Sequence, residues 1–159
     1  NCTVVTANPE QLRLITSMIP PAEQEKMLDG LVANRVMSFS PKRAPQSKQV
    51  AFVLYELKSV QDALEFVTGS ELVMRANDEK MKAGAVRIIE SKYTALSSEN
   101  LTGVLARKQM QVGPNLQTVL SLSAARGRLV VETMFVEEKI ADDEHLALAL
   151  DLVRRAGGE

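Results

Sequence analysis

The sequence predicts an α+β fold, in which an antiparallel sheet is flanked by helices. Residues 84–137 divide into four short strand-like stretches, a further strand is predicted at Gln49–Leu57, and an amphipathic helix follows at about 142–155. A parallel return between strands needs a crossover of a dozen or more residues, so the short spacings favour antiparallel neighbours and a simple meander. The C-terminal amphipathic helix is expected to close the chain by packing across this sheet.

The N-terminal part is predicted to contain a short strand at residues 2–6 and two helices. Asn8 and Pro9 are typical of a helix start, because proline at the first helical position loses no hydrogen bond. Pro20 and Pro21 end this helix, and a second is predicted from Pro21 or Ala22 to about Asn34. The predicted apolar stripes are Leu12, Ile15 and Ile19 in the first helix and Met27, Leu28, Leu31 and Val32 in the second.

The middle of the chain holds one strong strand and one ambiguous stretch. Residues 36–39 are predicted as a short strand, and residues 40–47, with two prolines, as the most mobile loop. Gln49–Leu57 is apolar on both faces and is therefore expected inside the sheet. A helix is predicted from Ser59, which resembles a capping residue, to Gly69. Residues 70–83 fit either a strand or a helix, and helix is the favoured interpretation.

The meander is predicted as strands at 84–94, 103–112, 116–124 and 128–136, with turn residues between them. The third strand has one apolar face. The fourth is apolar on both faces apart from Glu132, which is expected of a central strand covered on its second side. The final helix carries acidic residues at its start and Arg154 and Arg155 at its end, complementing the helix dipole. Its apolar stripe is Leu146, Ala149, Leu150 and Val153, widened by Leu148 and Leu152.

Length and charge narrow the functional classes. The 159 residues are predicted to form a single domain, 1–159, with 19 basic and 20 acidic side chains and a formal net charge of -1. This balance gives no electrostatic reason to expect nucleic acid or an anionic membrane surface as a partner. No apolar run approaches the ~20 residues that span a bilayer, so the predicted membrane contact is restricted to an N-terminal anchor.

The residues that usually carry catalysis are sparse. His145 is the lone histidine, no G-x-S-x-G motif accompanies it, and it is expected as a surface or half-buried helix residue. The glycines form no phosphate-binding loop and are interpreted as turn residues. Acidic residues at 137–138 and 142–144 could bind calcium, but a solvated turn explains them better. The sequence therefore predicts no catalytic residues, no cofactor and no metal site.

Two features point towards binding and anchoring. Seven methionines against four phenylalanines, two tyrosines and no tryptophan predict a deformable interior, either as scattered core filler or as a methionine-lined apolar groove. Cys2 is the only cysteine and stands near the start of a chain that begins without methionine, which suggests a processed or trimmed product. A mature bacterial lipoprotein would carry its acylated cysteine there, whereas an incidental buried cysteine is the alternative.

The order of elements resembles a known group. The chain has a cysteine near the N-terminus, early helices, a loop-bounded strand and a four-strand meander. In that meander the stretch Gly127-Arg-Leu-Val-Val-Glu-Thr-Met134 leads into an acidic turn and a terminal amphipathic helix. Over about the last half of the chain this resembles the PsbP-like and DcrB-like small bacterial envelope lipoproteins. The resemblance implies an α+β domain that lies in the periplasm or is tethered to a membrane, and that acts as an accessory or binding module without catalysis.

Three functional hypotheses follow. The first is a non-enzymatic, envelope-associated domain that binds a partner protein or an apolar ligand, with Cys2 as a candidate lipid attachment site. The second is a cytoplasmic secretion chaperone or adaptor that dimerises, for example through residues 128–136. The third is an enzyme, which would have to be built around His145.

Overall fold

A computed structural model, which describes residues 2–39, 49–97, 101–136 and 141–155, shows an antiparallel sheet with helices on both faces. The predicted α+β fold is confirmed. The described strands are β1 (Cys2–Val5), β2 (Leu31–Phe39), β3 (Gln49–Leu57), β4 (Val86–Ser97), β5 (Thr102–Val112), β6 (Asn115–Arg126) and β7 (Leu129–Val136). The described helices are α1 (Pro9–Ile15), α2 (Pro21–Asp29), α3 (Val60–Lys80) and α4 (Asp142–Arg155), with a 3₁₀ turn at Thr16–Met18.

The strand order is β1-β2-β3-β7-β6-β5-β4, and every recorded pairing is antiparallel. The predicted meander is therefore present as β4 to β7, and it joins the N-terminal strands through the pairing of β7 with β3. Gly113 and Gly127 adopt φ of 58° and 57° at the two tight turns of the meander, a conformation that glycine reaches without strain. The central position of β7 explains why its residues are apolar on both faces.

Each face of the sheet has its own apolar core. On one side, here called the α3 face, α1, α2 and α3 cover residues that include Tyr55, Leu57, Ala125 and Val130. On the other side, the α4 face, α4 covers alternating residues of β5, β6 and β7. The predicted bounds of α4 are those observed, and Ala149 and Val153 of its predicted stripe are fully buried.

The second helix ends earlier than predicted. It stops at Asp29, and Leu31 and Val32 begin the long strand β2 instead of continuing the helix to Asn34. The side chain of Asn34 explains part of this outcome, since its Oδ1 accepts a hydrogen bond from the Ala7 amide at 2.9 Å and its Nδ2 donates to the Ala7 carbonyl at 3.1 Å. These two hydrogen bonds tie β2 to the segment that precedes α1, and they outweigh the helical spacing of Leu31 and Val32.

The third helix continues where the sequence predicts an end. Ser59 caps α3 as predicted, accepting a hydrogen bond from the Asp62 amide at 3.1 Å. The helix then passes through Gly69 to Lys80, so the favoured helical interpretation of residues 70–83 holds for its larger part. Gly69 serves the packing of α2, because a Cβ there would lie 2.9 Å from Cγ and Sδ of Met27. Glycine at this point lets α2 approach α3 closely, and it does not end the helix.

The first helix is capped as predicted but packs differently. Asn8 and Gln11 form a reciprocal capping box, with Pro9 at the first helical position. Leu12 and Ile19 are buried, whereas Ile15 is 58% exposed. The predicted stripe is therefore wrong at Ile15, which lies at the mouth of the groove described below. The loop predicted at 40–47 lies outside the described residues.

Candidate functional site

A long groove runs along the α3 face of the sheet, beside helix α3. Its floor is formed by the ends of β7, β6 and β5 that α3 leaves uncovered, and its walls by α3 and the end of α1. The outer part has a volume of about 620 Å³ and the inner part about 270 Å³. Both parts are lined by the same five residues where they meet, so the groove is continuous. These residues are Ile15, Val73, Met74, Ser121 and Met134.

Methionine is the most frequent residue type in the outer part of this groove. Five of the seven methionines line it, and a sixth, Met27, lines the inner part. Three of them come from α3, β5 and β7, one from the 3₁₀ turn and one from the position directly after α3: Met74, Met110, Met134, Met18 and Met81. Even spacing along the sequence concealed this arrangement, because strand register and helix packing bring them together. Unbranched thioether side chains adapt to ligands of varied shape, so the groove can take an apolar molecule.

The inner part of the groove ends at a carboxylate. Glu132, on the α3 face of β7, accepts hydrogen bonds from the Tyr55 hydroxyl at 3.1 Å and from the Ser70 hydroxyl of α3. Burial raises the pKa of the Glu132 carboxyl above its usual range, and the hydroxyls of Ser70, Tyr55 and Ser123 oppose that rise only in part. Burial, with the neighbouring Glu132, also raises the pKa of Tyr55, so the phenol stays protonated and remains a donor.

A second carboxylate, which is buried, lies near the far end of α3. Asp78 accepts hydrogen bonds from Lys108 at 2.5 Å, Tyr93 at 2.6 Å and Ser91 at 2.7 Å. These three donors, of which Lys108 is also the charge partner, satisfy the carboxylate, as its burial requires. Burial and the bond to Asp78 raise the pKa of Tyr93. This network ties α3 to the edge strand β4 and to β5, and Lys108 also lines the outer groove.

His145 is fully buried, which corrects the prediction of a surface or half-buried residue. Its Nε2 hydrogen-bonds the hydroxyl of Thr133, and its ring lies edge-on to Phe135 with ring centroids 4.7 Å apart. Burial lowers the pKa of His145 to about 4, so the imidazole is neutral at physiological pH. It lies on the α4 face of the sheet, opposite the groove, and serves as a packing residue of α4.

The remaining sequence candidates do not converge on the groove. Cys2 begins the edge strand β1, where its backbone pairs with Phe39. Asp142, Asp143 and Glu144 form the first turn of α4, while Glu137 and Glu138 lie outside the described residues. Within the described ranges no three His, Cys, Asp or Glu side chains are grouped to hold a metal ion, and no described helix has the length and apolar character to span a bilayer.

Sequence reasoning missed Glu132, Asp78 and Lys108 as site residues. One feature of the sequence indicates that Glu132 is unusual: it is the single charge in a strand that is otherwise apolar on both faces. No sequence feature indicates that Asp78 and Lys108 lie together. They are 30 positions apart, and the long-range pairing of α3 with β5 brings them together.

Comparison with known proteins identifies a structural neighbour. No protein-family model and no curated protein matches the sequence. The fold resembles the extracellular domain of PknH from Mycobacterium tuberculosis. The two structures superpose with a TM-score of 0.55 over 96% of this chain and 78% of that domain, at 12% sequence identity. The similarity shows that the two chains share a fold; the resemblance to PsbP-like and DcrB-like lipoproteins stays a prediction.

Proposed function

We propose that the protein is a non-enzymatic binding domain of the bacterial cell envelope, which takes an apolar ligand in the methionine-lined groove. The observation that carries this proposal is the convergence of five methionines on one open groove. A surface of this kind offers apolar contact without a fixed shape, which suits ligand binding better than the packing of a rigid core. Its total size is within the range of small-molecule sites.

The proposal of a non-enzymatic domain is supported by what surrounds the buried titratable groups. Asp78 is saturated by Lys108, Tyr93 and Ser91. His145 is neutral and packed between β7 and α4, away from the groove. These side chains stabilise the sheet and its helices, and none of them presents a nucleophile and base pair to the groove.

The location in the envelope is supported by the structural neighbour, which is named as an extracellular domain. Lipid attachment at Cys2, the single cysteine of the sequence, is part of this proposal. In this proposal the groove faces the compartment outside the cytoplasmic membrane. The domain would bind an apolar molecule there or present it to another envelope protein.

Binding of a neutral apolar fluorophore tests the groove. We expect N-phenylnaphthylamine to bind the wild-type chain saturably, and the double substitution Met74→Gln with Met134→Gln to weaken binding by about tenfold, equivalent to about 1.4 kcal/mol. Met134 is 38% exposed at the groove rim, so glutamine there is tolerated by the fold. The measurement is a fluorescence titration.

The matched control is Leu116→Gln. Leu116 is 62% exposed and belongs to the set of β6 side chains on the opposite face of the sheet. This substitution also replaces an apolar side chain by glutamine, but it should leave binding unchanged. An absence of saturable binding by the wild type, or an equal loss in Leu116→Gln, would contradict the proposal.

A further inference from the structure

The two carboxylates beneath α3 differ in one respect. Asp78 has a resident cation, because Lys108 Nζ lies 2.5 Å from its Oδ1. Among the described residues the partners of Glu132 are neutral: the hydroxyls of Tyr55 and Ser70 donate hydrogen bonds to it, and the hydroxyl of Ser123 lies beside it. Among the ion pairs of the described residues, none includes Glu132. A carboxylate taken out of bulk water without a cation is costly for the fold.

Glu132 is reachable from solvent. It is partly exposed, and it lines the inner part of the groove. Around it the inner walls are mostly apolar, with Leu12, Phe66 and Val73 among them. The inner part opens into the methionine-lined outer part through the residues that both share, including Met74 and Met134. A slender molecule can therefore place one end at Glu132 and its body along the methionines.

The groups around Glu132 indicate which chemical class would bind it. Tyr55 and Ser70 already donate to the carboxyl oxygens, so Glu132 lacks a positive charge rather than another neutral donor. An ammonium group supplies that charge together with hydrogen-bond donors, and charge-assisted bonds are the stronger class. The raised pKa of Glu132 agrees with this arrangement, since burial without a cation disfavours the ionised form.

We propose that the groove is a binding site for an apolar ammonium compound, with the ammonium group on Glu132 and the hydrocarbon body against the groove methionines. This inference rests on the proposed function of the same groove and names the class of its ligand. It assigns to Glu132 the role of selecting the charge of the ligand's head group. The methionines then contribute affinity for the hydrocarbon without selecting its shape.

A series of three decyl compounds tests the head-group preference. Decylammonium, decanol and decanoate share one hydrocarbon chain, and each is titrated at pH 7, below its micelle concentration, against the full chain carrying N-phenylnaphthylamine. We expect decylammonium to displace the fluorophore at least tenfold more tightly than decanol, and decanoate to be the weakest. In Glu132→Gln, which keeps the shape of the side chain and can accept from one of the two hydroxyls through its amide oxygen while its amide nitrogen donates to the other, the preference for ammonium should disappear while decanol is unaffected.

Glu56→Gln is the control for non-specific attraction of a cation. Glu56 is an exposed carboxylate of the neighbouring strand β3 and pairs with Arg128 at 3.6 Å, outside the groove. This variant should retain the full ammonium preference. The wild-type series is informative by itself should Glu132→Gln fail to fold, which circular dichroism would reveal.

The outcomes separate this inference from the proposed function. Equal binding of the three decyl compounds by the wild type overturns the ammonium site while the apolar groove stands. An ammonium preference that persists in Glu132→Gln, or that is lost in Glu56→Gln, likewise overturns the role of Glu132. Failure of all three compounds and of the fluorophore to bind overturns the proposed function together with this inference.

Discussion

At His145, burial decides the protonation state. The imidazole is enclosed by Thr133, Phe135 and the rest of α4, and its pKa is lowered to about 4. In the unfolded chain the same group would have an ordinary pKa near 6.5. Above that value it is neutral in both states. As the pH falls towards 4, only the unfolded chain takes up the proton, and the contribution of His145 to stability is lost.

This linkage predicts a pH-dependent difference between the wild type and His145→Leu. The free energy of unfolding of the wild type should fall relative to that of the variant by at most about 1.4 kcal/mol per pH unit between about pH 6.5 and pH 4. Urea denaturation at several pH values measures the difference. Other titrating groups, Glu132 included, are common to both proteins and largely cancel. A difference that does not change with pH would contradict the lowered pKa.

Glu132 and Asp78 show how position alters the role of one residue type. Both are carboxylates beneath α3, and both accept hydrogen bonds from a tyrosine and a serine. The ion pair with Lys108 lets Asp78 connect α3 to β5. Among the described residues no cation pairs with Glu132 in the same way, so a positively charged ligand can pair with it. This contrast is the basis of the ammonium proposal.

At the scale of elements, close backbone approach sets the packing of β5 on β6. A Cβ added to Gly103 would lie 2.1 Å from the carbonyl oxygen of Ser123, which is backbone and cannot move aside cheaply. The residue pairs with Ala124 in the β5–β6 register. Glycine at this position lets the two strands keep their spacing.

Gly103→Ala is therefore expected to destabilise the protein by about 3 kcal/mol or more, because the strands must separate or shift. Gly113→Ala is the matched control. Its Cβ would meet nothing within 4 Å, and the cost there comes from the positive φ alone, about 1–2 kcal/mol. Thermal or urea unfolding of both variants measures the contrast. Equal losses in the two variants would show that the contact at Gly103 is relieved by a small adjustment.

The helices show which local signals decide an element and which do not. The start of α1 at Asn8 and Pro9 and the whole of α4 agree with the sequence prediction, because caps, charges and apolar stripe all indicate the same element. The end of α2 and the continuation of α3 through Gly69 do not. Asn34 pairs with Ala7, and Gly69 admits Met27, so partners distant in sequence outweigh local spacing.

At the scale of the whole molecule, the strand register relates the N-terminus to the groove. Thr3 pairs with Ser38, Ser38 with Ala51, and Ala51 with Met134, so one row of the sheet runs from β1 to the groove rim. Three interstrand steps span about 14 Å. A lipid attached to Cys2 would therefore hold the protein by the end of the sheet at which the groove floor lies.

The central position of β7, which is paired with β3 on one side and β6 on the other, rules out dimerisation by addition of a strand to residues 128–136.

The envelope proposal predicts that Cys2 is acylated when the complete native gene is expressed in its own bacterium. Mass spectrometry of the N-terminal peptide should find a diacylglyceryl group on Cys2, and Cys2→Ser should move the protein from the membrane fraction to the soluble one. A free thiol on the membrane-derived protein, or an unchanged distribution of Cys2→Ser, would contradict lipid attachment.

The sequence by itself determined the class of fold, the β4–β7 meander and the helix α4, because these rest on alternation, turn residues and helix ends that lie close together in the chain. It also indicated that β7 is central and that Glu132 is unusual there. Only the tertiary structure decided that α3 is a single helix, that five scattered methionines share one groove, and that Glu132 faces it beside Tyr55 and Ser70. These features depend on contacts between residues tens of positions apart. A local sequence pattern does not indicate which distant residue will contact a given side chain.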